Sequence, residues 1–314
     1  MADPKTQSIP LGVLAAALHV PCAHPHLTIT HISADSRQIG PGGLFVAYRG
    51  VHVDGHRFIP QAIAAGARAV VGERNLDGLS VPYLRVGDAR HALGVLSAAW
   101  EDFPSRRLGV IGVTGTDGKT TTSNLIHSIL TAAGLRTGLL TTVNARIGDD
   151  VYDTGLHTTT PPAPELQRYL RRMADASSHW AVLETTSHGL SQWRVAGVAY
   201  DIAVVTNVTH EHLDEHGDYD GYLRAKGRLL EMLACAPPKP GIPKGVVLNA
   251  DDGSFAPLRG YPLPRVLTYG LEAGDVRAEN IRHLPAGMQF DVLWHGKRLS
   301  VSLPYVGRFN VYNA

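Results

Sequence analysis

The sequence predicts an α/β protein of two domains built on mostly parallel sheets, and three observations carry that prediction. Short apolar runs alternate with amphipathic stretches along most of the chain. One run, residues 108–113, empties into a Gly-rich turn and then into an amphipathic helix. A polar, proline-bearing stretch, Glu101-Asp-Phe-Pro-Ser-Arg-Arg107, interrupts the pattern, and 314 residues are more than one ordinary domain needs.

Taken in order, residues 11–20 read as an amphipathic helix. The stretch is broken by His19, lacks a basic leader and is too short to span a bilayer. Strands at 27–32, 44–47, 69–71 and 81–86, with helices at 58–66 and 89–99, complete a first domain of residues 1–104. A second domain, 105–305, opens with the strand at 108–113 and a helix whose apolar face reads Leu125, Ile126, Ile129 and Leu130 before stopping at Gly134. Three later buried strands, 180–183, 202–205 and 246–248, each run into polar residues: Glu184, Thr206-Asn207 and Asn249. In an open parallel sheet, ligands gather outside those carboxyl ends. Alternation over 288–294 and 298–303 about His295-Gly296 predicts a hairpin, a β extension of the sheet. Residues 306–314 read as the first turn of a further helix, cut before it can pack, and as the start of a linker.

Composition narrows the function. Apolar residues make up 44% and charged residues 18%, enough for sizeable cores in a soluble protein. A net charge of +1 with no basic run gives no footprint for nucleic acid or an anionic membrane. Cys22 and Cys235 suggest no disulfide framework, so a reduced, cytoplasmic setting is expected.

The turn after 108–113 carries the chemistry. In Val110-Ile-Gly-Val-Thr-Gly-Thr-Asp-Gly-Lys-Thr-Thr-Thr122, glycines let backbone N–H groups close on phosphates and the helix start adds a positive dipole end. Lys119 adds a mobile cation, and the Thr120 hydroxyl can ligate Mg²⁺. The spacing is not strict GxxxxGK[ST], because position 113 is Val. Strand, turn and helix around it nevertheless predict a cradle for ATP formed by Gly115, Thr116, Asp117, Gly118, Lys119, Thr120 and Thr121.

Other segments gain meaning beside that cradle. Glu184 sits at a strand end, where it can complete a Mg²⁺ shell opposite Thr120, and Arg194 can hold a carboxylate or phosphate in a bidentate fork. His210, His212 and His216 invite a zinc reading, but their spacing fits no single helix face and acids intervene, so one histidine assisting a second Mg²⁺ is preferred. Lys226 lies in an amphipathic stretch whose spacing gives it no special role. Thr158-Thr-Thr-Pro-Pro162 is either an N-cap or an anion cradle. Asp35-Ser-Arg37 and the glycine-rich 50–59 segment are either loop structure or donors to a ligand.

These segments together resemble the Mur ligase family, in the MurE-type branch that adds a diamino acid to UDP-N-acetylmuramoyl-L-Ala-D-Glu. The likeness runs from DSR, LFVA and GVHVDGHRFI through GVTGTDGKTTT, HTTTPPAPELQ and ETTSHGLSQWRV to TNVTHEHLDEHGDYDGYLRAKGRLL and VLNADD. The resemblance implies a UDP contact at Ser36 and the His52 loop, and muramoyl-dipeptide contacts at Thr159, Thr160, Thr186, Gln192 and Arg194. It implies one Mg²⁺ held by Thr120 and Glu184, and a second served by His212 and by Lys226 as a carbamate. Lys119, Lys226 and His212 are then the catalytic set of an ATP-dependent amide ligase of peptidoglycan precursor synthesis, expected to be a monomer. The family's third, Rossmann-like domain, which binds the incoming diamino acid, has no counterpart before Ala314. On that ground the chain alone is expected to be inactive, and the rival readings are a non-catalytic nucleotide- or UDP-muropeptide-binding fragment and a P-loop kinase with another acceptor.

Overall fold

The computed structural model describes residues 7–50, 53–153, 160–209 and 218–314. They fall into two compact units. The first holds residues up to Phe103 together with Pro162–Arg168 and Gln192–Gly197, and the second holds the rest.

In the first unit, β1 (Ile9–Pro10) leads into α1 (Leu11–Ala17), followed by β2 (Thr28–Ile29), β3 (His31–Ser33) and β4 (Gly43–Ala47). Then come α2 (Ile59–Ala64), β5 (Ala69–Gly72), β6 (Tyr83–Arg85) and α3 (Ala89–Trp100). Strands β3, β4, β5 and β6 form a parallel sheet in that order. Alternation along β4 sends Leu44 and Val46 to the face covered by α1 and α3, and Phe45 and Ala47 to the face covered by α2. The run expected as one strand at 27–32 is two. Thr28–Ile29 pairs antiparallel with β1, while His31–Ser33 pairs parallel with β4, so the chain changes sheets at Thr30.

The second unit carries an 11-stranded sheet. Its strands are β7 (Gly109–Thr114), β8 (Thr137–Leu140), β9 (Asn144–Ile147), β10 (Asp150–Asp153), β11 (Trp180–Glu184) and β12 (Ile202–Val205). They continue with β13 (Gly245–Asn249), β14 (Val266–Gly270), β15 (Val276–Leu284), β16 (Gly287–Trp294) and β17 (Lys297–Leu303). The helices are α4 (Lys119–Ala132), α5 (Ala163–Asp175, which enters from the first unit), α6 (Ser187–Ser191), α7 (Tyr219–Cys235), α8 (Phe255–Leu258) and α9 (Phe309–Asn313). The order β8-β11-β7-β12-β13-β14-β15 is parallel throughout; β9 and β10 extend one edge antiparallel, and β16 and β17 the other. Strand order reverses at β7, which lies between β11 and β12, and α4 leaves from its carboxyl end. That is the switch point where open sheets bind ligands.

Packing explains the central placement of β7. Ile111 and Val113 join Leu139, Val182 and Val204 beneath Ile126 and Leu130 of α4. On the other face a Cβ at Gly112 would stand 2.7 Å from Tyr200 and 2.9 Å from Leu229 of α7, so only glycine lets that helix approach. At the opposite end of the strands, the buried Asp201 carboxylate accepts from Val110 N at 2.8 Å and is paired with Lys239, whose ammonium also donates to the carbonyls of Leu108 and Ala199.

Three sequence expectations are revised. Ile129, placed on the inward face of α4, is 61% exposed. Strands β8, β9, β10, β14 and β15 had no reading from sequence. β8 is a four-residue Thr-Gly-Leu-Leu whose glycine makes room for Met173, and β15 is charged along much of its exposed length. The final residues, read as an unpacked turn of a linker, form α9. It is anchored by buried Val311 in the cluster of Met288, Phe290 and Leu303, and by the Thr122 hydroxyl donating to the Asn313 carbonyl at 3.0 Å.

Candidate functional site

The carboxyl ends of β7, β11, β12 and β13 converge on the loop before α4. Gly115 has φ +155° and a Cβ there would lie 1.8 Å from the Thr206 hydroxyl; Gly118 has φ +81° and a Cβ would lie 2.1 Å from Asn313 Oδ1. Both positions therefore strongly favour glycine. Its backbone is fastened to the β12 exit. Thr116 N donates to Asn207 O and Asp117 N to Asn207 Oδ1, both at 2.9 Å, while the Thr206 hydroxyl donates to Asp117 O at 2.6 Å. Thr116 Oγ1 accepts from Thr209 N at 2.9 Å and lies 3.3 Å from the Tyr222 hydroxyl.

Two lysines meet on this loop. Lys119 Nζ folds back to donate to the carbonyls of Gly115 (3.1 Å) and Thr116 (2.6 Å). Lys226, 1% exposed, projects from α7 to donate to the same Gly115 carbonyl at 2.6 Å, with Nζ 4.1 Å from the Tyr222 ring centroid. Burying an ammonium is costly unless it is bonded, and here the Gly115 carbonyl and the Tyr222 ring face supply the partners.

The Thr120 hydroxyl donates to Glu184, 3.0 and 2.9 Å from its two carboxylate oxygens, and Thr142 N donates to the same carboxylate at 3.1 Å. Glu184 is buried, so its charge is focused on this spot. A hydroxyl and a carboxylate in contact at the start of a 14-residue helix are the hard oxygen donors that suit Mg²⁺. Beside them, Thr160 Oγ1 lies 3.0 Å from Thr186 Oγ1 and accepts from Thr186 N at 3.1 Å, and Thr186 Oγ1 accepts from Gly189 N at 3.0 Å.

A cleft of about 650 Å³ continues from the loop, lined by Asp117, Gly118, Thr121, Asn207, Asn249, Asp251, Tyr312 and Asn313 among others. Asp251 is held below the usual carboxylate range. Burial opposes this, but the amides of Leu271, Glu272 and Ala273 and the Tyr312 hydroxyl outweigh it. Burial, reinforced by Asp252, pushes the Tyr269 phenol up and leaves it a fixed donor to Thr206 O at 3.3 Å.

The structure thus brings Gly115 to Thr121, Glu184, Lys226, Thr160 and Thr186 together in the second unit. Gln192 and Arg194 belong to the first, where the guanidinium donates through Nε and Nη2 to Gln192 Oε1 at 3.1 and 2.8 Å. Ser36 is also in the first unit, buried, with its hydroxyl 3.4 Å from Gln61 Oε1. His52, Thr159 and His212 lie outside the described residues. Sequence reasoning gave no role to Asn313 or Asp251. Asn313 stood in a segment read as linker, and nothing in its neighbours marked it.

A glycine-rich loop at the switch point of a parallel sheet, with a threonine–glutamate pair at the helix start, gives the second unit a P-loop-type architecture. Residues 113–314 match the Mur ligase middle domain, and residues 28–101 match the Mur ligase family, catalytic domain; the chain belongs to the Mur ligase family. It is 47% identical over 313 residues to a UDP-N-acetylmuramyl-tripeptide synthetase of Roseiflexus sp. (strain RS-1), covering 96% of this chain and 61% of that protein. It is 42% identical over 286 residues to a UDP-N-acetylmuramoyl-L-alanyl-D-glutamate--2,6-diaminopimelate ligase of Bacillus licheniformis, covering 91% and 58%. A solved structure of a ligase of the latter name superposes with a TM-score of 0.80 at 27% identity, covering 98% of this chain and 62% of that one. MurF from Acinetobacter baumannii superposes at 0.64 and 26%, covering 98% and 63%. The chain therefore spans about three fifths of the length of these relatives. Among the described residues, no helix is long and apolar enough to cross a membrane.

Proposed function

We propose that the protein takes part in the ATP-dependent ligation of a diamino acid to UDP-N-acetylmuramoyl-L-Ala-D-Glu. The observation that carries this is the Thr120–Glu184 contact at the head of α4, directly beside a loop whose two lysines share the Gly115 carbonyl. The names of the relatives supply the acceptor and the amine.

In this reading the loop amides of residues 115–121 bind the triphosphate, and Lys119 leaves its loop carbonyls to meet the phosphates. Thr120 and Glu184 hold Mg²⁺, which when bound supplies positive charge to the phosphoryl oxygens. The D-Glu side-chain carboxylate attacks the γ-phosphorus, the bond to ADP breaks, and an acyl phosphate forms. The amine then adds to the acyl carbon and phosphate leaves from the tetrahedral intermediate as the amine's proton departs. Thr160 and Thr186 orient the peptide, with Thr159, Gln192 and Arg194 as further contacts. Ser36 and the His52 loop take the UDP moiety, giving residues 1–104 the role of substrate domain and 105–305 that of ATP domain. Lys226 as a carbamate, with His212, serves a second Mg²⁺; the supporting placement is its buried Nζ on the phosphate loop.

The test is a phosphate-release and product-mass assay with ATP, UDP-N-acetylmuramoyl-L-Ala-D-Glu and a diamino acid, beside calorimetric titration with each ligand. Binding of ATP and of the UDP-muropeptide is expected of the chain itself. Phosphate release that requires all three, with the tripeptide product, is expected once it is joined to the remaining two fifths of its relatives' length, and release independent of the UDP-muropeptide refutes the reading. For Lys226, a carbamate resonance with isotopically labelled bicarbonate and partial rescue of Lys226→Ala by a small carboxylic acid are expected.

A further inference from the structure

Three segments of the first unit bring cationic groups to one place. Tyr48 and Arg49 follow β4, Arg90 sits in the first turn of α3, and Arg194 lies in Gln192–Gly197. The Arg90 guanidinium stands over the Tyr48 ring, its Cζ 5.0 Å from the centroid, and its Nη2 donates to Arg49 O at 3.3 Å. One residue along, the rings of His91 and Trp193 meet edge to face with centroids 4.8 Å apart. Because His91 follows Arg90 and Trp193 precedes Arg194, that contact brings the two arginine-bearing segments together, with Tyr48 and Arg90 both near enough to Arg194 for their charges to be felt there. Burial draws the Arg194 guanidinium below its ordinary value; the Tyr48 phenol opposes this and the charge of Arg90 adds to it. Both groups remain cations.

Two half-buried like charges within reach of one another's field raise the energy of the unliganded fold. What holds Arg90 is an aromatic face and a carbonyl, both neutral, and among the described residues no carboxylate pairs with it. The nearby acids are engaged elsewhere. Asp88 caps α3 by accepting from His91 N at 2.9 Å, Glu73 accepts from Ala89 N at 2.9 Å, and Asp54 holds His56 and Arg74. A stacked, flattened guanidinium beside a second one is suited to a planar or tetrahedral anion, since each fork presents paired N–H donors.

We propose that Arg90 is an anion-binding residue of the UDP-muropeptide site, forming with Arg194 a two-guanidinium clamp for a carboxylate or phosphate group of that ligand, with Tyr48 as the platform that holds the Arg90 fork. This rests on the reading that Arg194 meets the muramoyl-dipeptide. The clamp gives the substrate domain a charged contact of its own, apart from the ATP cradle.

The experiment is calorimetric titration of the chain and its Arg90→Met, Arg90→Lys, Arg194→Met and doubly substituted variants. The probes are UDP-N-acetylmuramoyl-L-Ala-D-Glu, UDP-N-acetylglucosamine, which has the diphosphate but no carboxylate, and ATP. Arg90→Met should weaken the UDP-muropeptide by about ten- to hundredfold, the range of a lost charge-assisted contact, and leave ATP unchanged. Arg90→Lys should recover part of the loss, because charge returns without the flat fork. The double variant should lose less than the product of the single losses, because both arginines serve one anion. Equal loss on both UDP ligands assigns the diphosphate, and loss on the dipeptide ligand alone assigns a glutamyl carboxylate. Should Arg90→Met melt early, Arg90→Lys carries the same comparison. A folded Arg90 variant with full affinity overturns the clamp, and a loss at Arg194→Met in the same series leaves the Arg194 reading standing. No binding of the UDP-muropeptide by the unaltered chain overturns both.

Discussion

Gly118 begins α4 at φ +81° with its missing Cβ pointing at Asn313 Oδ1, so a single methyl group there meets both backbone strain and a collision. Gly118→Ala should destabilise the fold by roughly 1–3 kcal/mol and weaken ATP binding, read by urea unfolding and by nucleotide titration. Lys119→Ala is the complementary change. It leaves the loop backbone unstrained, though it removes the donations to two loop carbonyls, and the triphosphate loses a charge-assisted contact of about 1.5–3 kcal/mol. A folded Lys119→Ala protein with unaltered ATP affinity would sink the cradle assignment. The two substitutions differ in kind: one disturbs the shape of the site and the other its charge, so the first should move the unfolding midpoint further and the second should weigh more on nucleotide affinity.

At the scale of elements, the parallel strands are tied at the end remote from the site. Lys239 and Asp201 have side chains only 8% and 1% exposed and join the start of β7 to the start of β12. Lys239→Met would leave the Asp201 carboxylate buried without its cation, a loss of about 3–5 kcal/mol that a thermal melt would show. A melting temperature unchanged within error would mean that water replaces the lysine. The β16–β17 hairpin offers a pH test. The Asp291 carboxyl is pulled down to about 2, first by the Ser300 hydroxyl, then by Asn280 and, against burial, by Arg298. A carboxyl lowered on folding contributes stability above its unfolded value, and that contribution fades as pH falls through the folded value. Stability should therefore drop between pH values near the unfolded 3.8 and the folded value of about 2. Asp291→Asn should flatten that part of the urea-midpoint profile; an identical acid limb in the variant would refute the assignment.

For the whole molecule, the proposed ligand contacts divide unevenly between the two units: the cradle lies in the second, while the UDP-muropeptide contacts fall in both, Ser36, Gln192 and Arg194 in the first and Thr160 and Thr186 in the second. Substitution of Lys119 should change ATP binding and leave the UDP-muropeptide affinity near its original value. Substitutions at Arg194 should do the reverse. Crossed titrations check this, and a Lys119→Ala protein that loses both affinities equally would show that the ligands are not bound by separate sets of residues. Within the second unit, the cradle and α9 are less separable, because Asn313 touches the loop and the chain between them closes through Thr122.

The fold class and the glycine-rich loop before α4 were legible in local sequence because they rest on short-range causes. An apolar strand, glycines at positions that exclude a Cβ, and a lysine-threonine pair at a helix start lie within fourteen residues of one another. The His295-Gly296 hairpin was legible for the same reason: both residues take positive φ, 48° and 73°, as a two-residue turn requires. The strand-end residues Glu184, Thr206 and Asn249 were readable as a set from the topology rule alone. What sequence could not supply depends on partners far away in the chain. The split of 27–32 between two sheets follows from which strand each half meets, and β8 and β15 are strands because of their neighbours rather than their patterns. Lys226 shows the limit most sharply. In the helix it reads as a solvated cation, and only the approach of α7 to β7 buries its ammonium on the Gly115 carbonyl, 111 residues away. Local pattern therefore determined which backbone forms where, while long-range packing alone decided which charges are desolvated and which residues share a site. Desolvation is a property of the surrounding fold, not of the residue that bears the charge.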